Sequence, residues 1–389
     1  MSNLHKLTDI VKFIGGSQPP KSVFSDTKED GYVRLIQIRD YKSDNHIVYI
    51  NKDSTRKFCT KDDIMIGRYG PPVFQILRGI EGAYNVALMK AEPKNDKLSK
   101  EYLYRFLQNP SIQNYIIGLS QRSAGQSGVN KEALEQYEML LPPLSEQKRI
   151  VSKLDKLFEK IDKGIVLHQK NMDESDLFMG SVLNDVFGEL EEKYETTSLD
   201  TLSSFQNGFA FKSKEFNTDE LGLRVIRIGN VLDINKNPVF IDERKEFKKY
   251  LLKENDIVIS MTGTRKKMDY LFVRVVDTND SYLNQRVGKI LAKDNSNHRY
   301  LYYYLQSNYF RDKIFEYETG TVNQGNISGK DIMNSKIPLI SLDIQKKAVK
   351  YLDKISQNLE KLKQAQKEKM ESLKTLKASI LDKAFRGEL

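Results

Sequence analysis

The sequence predicts an α+β fold: two mixed α/β globular units separated by two long antiparallel coiled-coil helices, related by a pseudo-twofold internal repeat. Three observations predict it. Tyr102-Leu-Tyr-Arg-Phe-Leu-Gln108 recurs 198 residues later as Tyr300-Leu-Tyr-Tyr-Tyr-Leu-Gln306. Each copy carries short apolar runs bounded by Gly, Asp and Asn, as strands do. Each copy then ends in apolar residues at three- and four-residue steps, sustained for about six heptads, which argues coiled coil.

The repeat fixes the order of the elements. Leu7, Ile10, Phe13 and Gly16 fall on Leu199, Leu202, Phe205 and Gly208 at an offset of 192. Arg34–Ile38 lies over Arg224–Ile228 at 190, and Asp63–Ile66 over Asp256–Ile259 at 193. Gln126, Gln147, Leu154 and Phe187 map onto Gln324, Gln345, Leu352 and Phe385 at 198. Insertions therefore lie in the middle of the second copy, and a period this long excludes a solenoid. Val33–Ile38, Asp63–Ile66, Val225–Ile228 and Asp256–Ile259 read as strands. Ser99–Ile116 and Asn297–Phe315 read as helices whose aromatic faces (Tyr102, Phe106 and Leu107; Tyr300, Tyr304 and Leu305) belong to the core.

The long helices follow prolines. After Pro142 and Pro143, with Ser145 as the expected cap, Ile150, Leu154, Leu157, Ile161, Ile165, His168, Met172, Met179, Val182 and Val186 form one stripe. Gly164 and Gly180 weaken it locally. After Pro338, a second stripe takes in Ile344, Ala348, Leu352, Ile355, Leu359, Leu362, Leu373, Leu376, Ile380 and Ala384. The organisation is thus 1–144, a first unit; 145–187, a first helix; 188–341, a second unit; and 342–389, a second helix.

Composition narrows the function. At 389 residues with 39% hydrophobic and 30% charged residues, the chain can bury ample core and is not disordered. No continuous apolar span or signal-peptide core is present, so no membrane is expected. Cys59 is the one cysteine, which excludes an internal disulfide framework and places the chain in the cytoplasm. Four dispersed histidines (His5, His46, His168 and His298) exclude a structural zinc site, and no metal is expected. The formal charge is +9, distributed as +4 over 1–144, −2 over 145–190, +2 over 191–341 and +5 over 342–389. Such a balance leans toward a polyanion held by folded surfaces rather than by a basic tail. No phosphate loop and no nucleophile elbow occur. Gly70-Pro-Pro-Val73 lacks the polar and aromatic flanks of a methyltransferase motif and reads as a turn. No catalytic residue is assigned.

Polar loops carry the binding signal. Gly15–Lys21 and Gly208–Ser213 occupy one place in the two copies, glycine admitting a phosphate and Lys21 or Lys212 supplying charge. Met65–Gly70, with Arg68 and Tyr69, is matched to Thr262–Lys267, with Thr264, Arg265, Lys266 and Lys267, each a strand leading into a loop. Gln121 and Arg122, Asn284, Gln285 and Arg286, and Asn323 and Gln324 offer base-reading groups, since Arg suits guanine and Asn or Gln suits adenine. Each alone is an ordinary solvated turn, and it is the recurrence that favours DNA.

Leu141-Pro-Pro-Leu-Ser-Glu-Gln-Lys-Arg-Ile-Val151, the terminus Ala384-Phe-Arg-Gly-Glu-Leu389 with its echo Val186-Phe-Gly-Glu-Leu190, and Asn326-Ile-Ser-Gly-Lys-Asp331 carry a resemblance over the whole chain. It resembles the specificity subunit of a type I restriction-modification system. The resemblance implies two target recognition domains, each reading half of a split double-stranded DNA site, held apart by paired helices. It also implies two methyltransferase subunits, which bind the S-adenosylmethionine, and two motor-nuclease subunits in the full restriction complex. The chain itself would bind no cofactor and would be non-catalytic. Pro338-Leu-Ile-Ser-Leu-Asp-Ile-Gln345 departs from the double proline of the first helix start. A duplicated coiled-coil scaffold or RNA-binding module, and an enzyme with an unrecognised site, are the competing readings.

Overall fold

The computed structural model describes residues 4–120, 128–277 and 280–389. The chain forms two compact units. One comprises the residues up to His168 together with Glu368–Leu389, and the other comprises Gln169–Lys367. Each unit joins one globular body to a segment of both long helices.

The first body contains two four-stranded sheets. The first is antiparallel, in the order Val11–Gly15, Leu88–Pro93, Ile64–Gly67, Gln75–Leu77. The second runs Tyr49–Asn51, Tyr32–Ile36, Gly82–Tyr84, Phe58–Cys59, with its central pair parallel. The second body repeats both orders: Ser203–Asn207, Val287–Ala292, Ile257–Ser260, Val273–Val275, and Phe240–Ile241, Leu223–Ile226, Ser281–Leu283, Leu251–Leu252. The parallel pair recurs between Leu223–Ile226 and Ser281–Leu283. Ile64, Met65 and Ile66, and likewise Ile257, Val258 and Ile259, are buried on both faces of their strands, which is why these segments read as unbroken apolar runs. All four expected strands form, but two are shorter than expected. The backbone turns into a 3-10 turn at Ile38–Tyr41 and a short helix at Ile228–Leu232.

The aromatic helices are each interrupted. Lys100–Leu107 and Pro110–Ser120 are separate helices, because Pro110 lacks the amide that would continue the first. His298–Gln306 and Asn308–Ile314 are parted by Ser307, whose hydroxyl accepts the Phe310 amide at 3.2 Å as a cap. Their faces are core, as expected: Tyr102, Phe106, Leu107, Tyr300, Tyr304 and Leu305 are all buried.

Leu144–Lys193 and Leu342–Phe385 are the two long helices. The first starts one residue before Ser145, so Ser145 lies inside its first turn, and it continues past Phe187 and Gly188. Within the first unit the helices run antiparallel, Asp162 accepting from Lys377 Nζ at 2.6 Å and Arg149 donating to the Leu389 carbonyl at 2.7 Å. Gly164 permits this approach, since a Cβ there would lie 3.1 Å from Leu373 Cδ1. In the second unit Lys363 reaches Asp176 at 2.5 Å in the same antiparallel sense. The stripe is buried at Ile150, Leu154, Ile161, Val182, Leu352 and Ala384, whereas Leu362 and Leu376 are exposed.

Each helix end seals one unit. Phe385 packs on Tyr102 and Phe106 with ring centroids 5.0 and 5.3 Å apart, and Phe187 packs on Tyr300 and Tyr304 at 5.5 and 5.6 Å. The second helix therefore closes the body of the first copy, and the first helix that of the second. Burying each phenyl ring contributes about 1.5–3 kcal/mol. At the helix starts a buried glutamine repeats its role. Gln147 accepts the Ser99 amide at 2.8 Å and donates to the carbonyls of Lys97 and Pro142 at 2.7 and 2.8 Å. Gln345 accepts the Asn297 amide at 2.8 Å and donates to Asn295 and Ile340 at 3.2 and 3.0 Å. The missing double proline thus leaves the second start unchanged.

Candidate nucleic-acid interface

In the second unit, backbone hydrogen bonds bring four separate segments together. The Met261 amide donates to the Arg286 carbonyl at 3.1 Å, and the Ile327 amide to the Met261 carbonyl at 3.1 Å. The turn Asn284–Arg286, the strand exit at Met261 and the segment 319–327 are therefore neighbours. Phe209 joins them, its amide donating to the Leu283 carbonyl at 2.9 Å, and exposed Lys212 follows three residues on. Thr262–Gly263, Gln324–Asn326 and Thr319–Thr321 form a small three-stranded sheet that carries the basic loop and the hairpin.

The basic loop is held by a carboxylate. Glu318 accepts the Lys266 amide at 3.0 Å and the Tyr270 hydroxyl at 2.8 Å. Arg265 is half-buried and donates to the Gly320 carbonyl at 3.0 Å, while the Lys266 and Lys267 side chains are exposed. The Thr264 amide donates to Asp269 at 2.8 Å, and hydrogen bonds from Thr264 hold the Asp269 carboxyl below its usual range. Burial, then the bond to Glu318, pushes the Tyr270 hydroxyl upward, so it stays a donor. Lys266, Met268 and Leu271 all adopt left-handed φ, at 66°, 52° and 63°. Such a loop persists only because its surroundings over-determine it. Glu318 and Tyr270 were not legible as site residues: Glu318 lies 52 positions from the amide it fixes.

Asn284 is half-buried, whereas Gln285 and Arg286 are exposed at the turn. Asn323 is exposed at the hairpin tip and Gln324 is half-buried on its strand.

In the first unit the same frame is present. The Arg68 amide donates to the Ala87 carbonyl at 2.8 Å, the Val129 amide to the Arg68 carbonyl at 2.9 Å, and Tyr69 pairs with Gly128. Arg68 thus occupies the place of Met261, and Tyr69 that of Thr262. The expected match of Met65–Gly70 to Thr262–Lys267 is corrected accordingly. Six residues, 68–73, separate Gly67 from Phe74, whose amide donates to the Gly67 carbonyl; ten, 261–270, separate Ser260 from Leu271, bonded likewise. Arg265, Lys266 and Lys267 belong to the longer loop and have no counterpart in the first copy. Arg68 and Tyr69 are half-buried, with the guanidinium 5.1 Å from the ring and donating to Val86 at 3.2 Å. Gln121 and Arg122 lie outside the described residues.

The glycines of the paired loops have a different task from the one expected. A Cβ on Gly16 would lie 2.0 Å from the Asn85 carbonyl oxygen, and one on Gly208 at 2.0 Å from that of Asn284. At these two matched positions protein backbone fills the space the glycine leaves, whereas Gly15 beside Gly16 borders open space. Exposed Lys21 stands one residue out of step with Lys212, since the 3-10 turn Lys21–Val23 matches Ser213–Glu215.

Among the described residues, no group of three or more His, Cys, Asp or Glu could hold a metal, and no helix is long and apolar enough to cross a membrane. Cys59 is buried, its thiol pushed up to about 12 by burial first and then by Asp63.

Comparison with known proteins fits this duplicated frame. The family described as type I restriction modification DNA specificity domain matches residues 2–166 and 191–372, once per copy. The type I restriction enzyme MjaVIII specificity subunit of Methanocaldococcus jannaschii is 28% identical over 95% of this chain and 89% of its own. The EcoBI specificity subunit of Escherichia coli is 22% identical over 95% and 82%. A solved structure described as showing complex assembly and conformational transition of the type I R-M system shares the fold, with a TM-score of 0.72 at 20% identity over 99% of this chain and 98% of that one. With two family matches falling on two bodies of identical strand order, the chain belongs to the type I restriction-modification specificity subunits.

Proposed function

We propose that this chain is a non-catalytic reader of a bipartite double-stranded DNA target. Residues 1–144 and 188–341 each read one half, and the helices 145–187 and 342–389 set the unread spacer and dock two methyltransferase subunits. S-adenosylmethionine would be held by those partners, and motor-nuclease subunits would join for cleavage. The observation that carries this reading is the gathering of Asn284–Arg286, Thr264–Lys267, Asn323 and Gln324 by backbone pairing, cations beside amides able to read base edges. Relatives named as specificity subunits over nearly their whole length support it. The test is a gel shift with the chain and its methyltransferase partner on random-sequence duplex against RNA of the same length. Selection of a split DNA motif is expected. Equal retention of RNA would favour the RNA-binding reading, and methyl transfer by the isolated chain would overturn the non-catalytic one.

A further inference from the structure

The hairpin Thr319–Asn326 ends in a residue that serves neither its turn nor any core. Val322 is 89% exposed, the most exposed large apolar side chain among the described residues. It sits with Asn323 in the two-residue turn between Thr319–Thr321 and Gln324–Asn326. Neither turn residue has a left-handed φ, so the turn accepts most residues, and nothing in the fold calls for a β-branched one at its exposed tip. The hairpin behind it is rigidly held. Thr319 Oγ1 donates to the Asn326 carbonyl at 3.2 Å, Arg265 braces Gly320, and Glu318 at its base ties it to the Lys266 amide and the Tyr270 hydroxyl. A well-supported ribbon thus presents an apolar tip, and the loop that carries the exposed Lys266 and Lys267 is tied to the same ribbon at Glu318 and Gly320. Met268, in the basic loop, and Tyr317, beside Glu318, are also exposed, at 46% and 60%.

A two-stranded ribbon fits the major groove of B-DNA, where thymine alone offers a methyl group. Cations flanking such a ribbon meet the phosphates on either side. Resting on the DNA-reading function proposed above, we infer that Val322 is a specificity-determining contact of the second half-site, packing its isopropyl group on the C5-methyl of a thymine. Asn323 beside it is placed to read the neighbouring base edge, while Lys266 and Lys267 grip the backbone. Val322 itself supplies no charge and no hydrogen bond, so its effect is confined to one base.

The test selects binding sites from random duplex with the chain and its methyltransferase partner, using the unaltered chain, Val322→Ser and Val322→Ile. The unaltered chain should select a thymine in the second half-site. Replacing that thymine by deoxyuridine, which removes only the methyl group, should weaken binding about fourfold, the worth of one buried methyl. Val322→Ser should abolish this penalty and Val322→Ile should keep it, with the first half-site unchanged in both. Because Val322 is almost wholly exposed, neither variant threatens folding. A second half-site without thymine, or a deoxyuridine penalty equal in Val322→Ser and the unaltered chain, would overturn the inference and leave the proposed function standing. Failure to select any split motif would overturn both.

Discussion

Between Gly67 and Phe74 the first unit has six residues, and between Ser260 and Leu271 the second has ten; on either side of that loop the two copies pair strand for strand. The helix starts behave oppositely. Gln147 and Gln345 each make three hydrogen bonds to corresponding partners, and Tyr102 and Tyr300 each donate to the strand that precedes a long helix, at Leu140 and Pro338, at 3.1 and 3.0 Å. The difference teaches where selection for packing ends. Groups buried against backbone are duplicated because any change leaves a polar atom unpaired, whereas an exposed loop can lengthen at little cost.

The comparison breaks first, if it breaks, at the rings. Phe187→Ala and Phe385→Ala should each cost about 3–5 kcal/mol, felt in one unit only. Hydrogen exchange would show Phe187→Ala loosening the second body and Phe385→Ala the first. Loss of protection in the copy preceding each helix would contradict the exchange of helix ends between copies.

Gln147→Ala and Gln345→Ala come next, at about 2–4 kcal/mol each, because a buried amide and two carbonyls lose their partners. Urea unfolding should give similar losses. A loss at Gln345 much smaller than at Gln147 would show that the two starts are not equivalent after all.

On the divergent side, Lys266→Ala with Lys267→Ala should flatten the salt dependence of DNA binding by about two units of log slope. The affected contacts belong to the second half-site, since the first unit's shorter loop carries no counterpart. An unchanged slope would assign the loop to a protein partner.

The smallest effect concerns acid. Asp63 accepts Lys100 Nζ at 3.0 Å and lies 3.6 Å from Lys90; its counterpart Asp256 faces Lys289 at 3.5 Å, with His298 where Lys100 would be. Burial alone would raise the Asp63 carboxyl, but the Thr60 amide and the two lysines bring it below its usual value. A depressed carboxyl stabilises fully at neutral pH and loses that contribution as pH falls through its folded value. Asp63→Asn should therefore cost about 1 kcal/mol at pH 7 and less in acid, read by melting across pH. A cost that grew on acidification would refute the assignment.

Much of this was legible from residue order. The repeated tyrosine motifs and the apolar stripes located the bodies and the helices, because side chains in cores recur at fixed spacing. The two aromatic stretches read as single helices because their apolar spacing runs through Pro110 and Ser307, where the missing amide and the serine cap break them. The loop register was not legible: Arg68 and Arg265 match by type, yet hydrogen bonding places Arg68 with Met261. Leu362 and Leu376 follow the stripe and are nevertheless exposed, since periodicity specifies a face without specifying what covers it. Gln147 and Gln345 were visible as a matched pair, but their work depends on carbonyls some 50 positions away.

Exchange of residues 1–144 for the corresponding segment of another specificity subunit tests the central claim most directly. The target of the hybrid, with its methyltransferase partner, would be read by sequencing methylated sites. One half-site should change while the other half and the spacer stay as they were. A target altered in both halves, or in neither, would contradict two bodies that read independently.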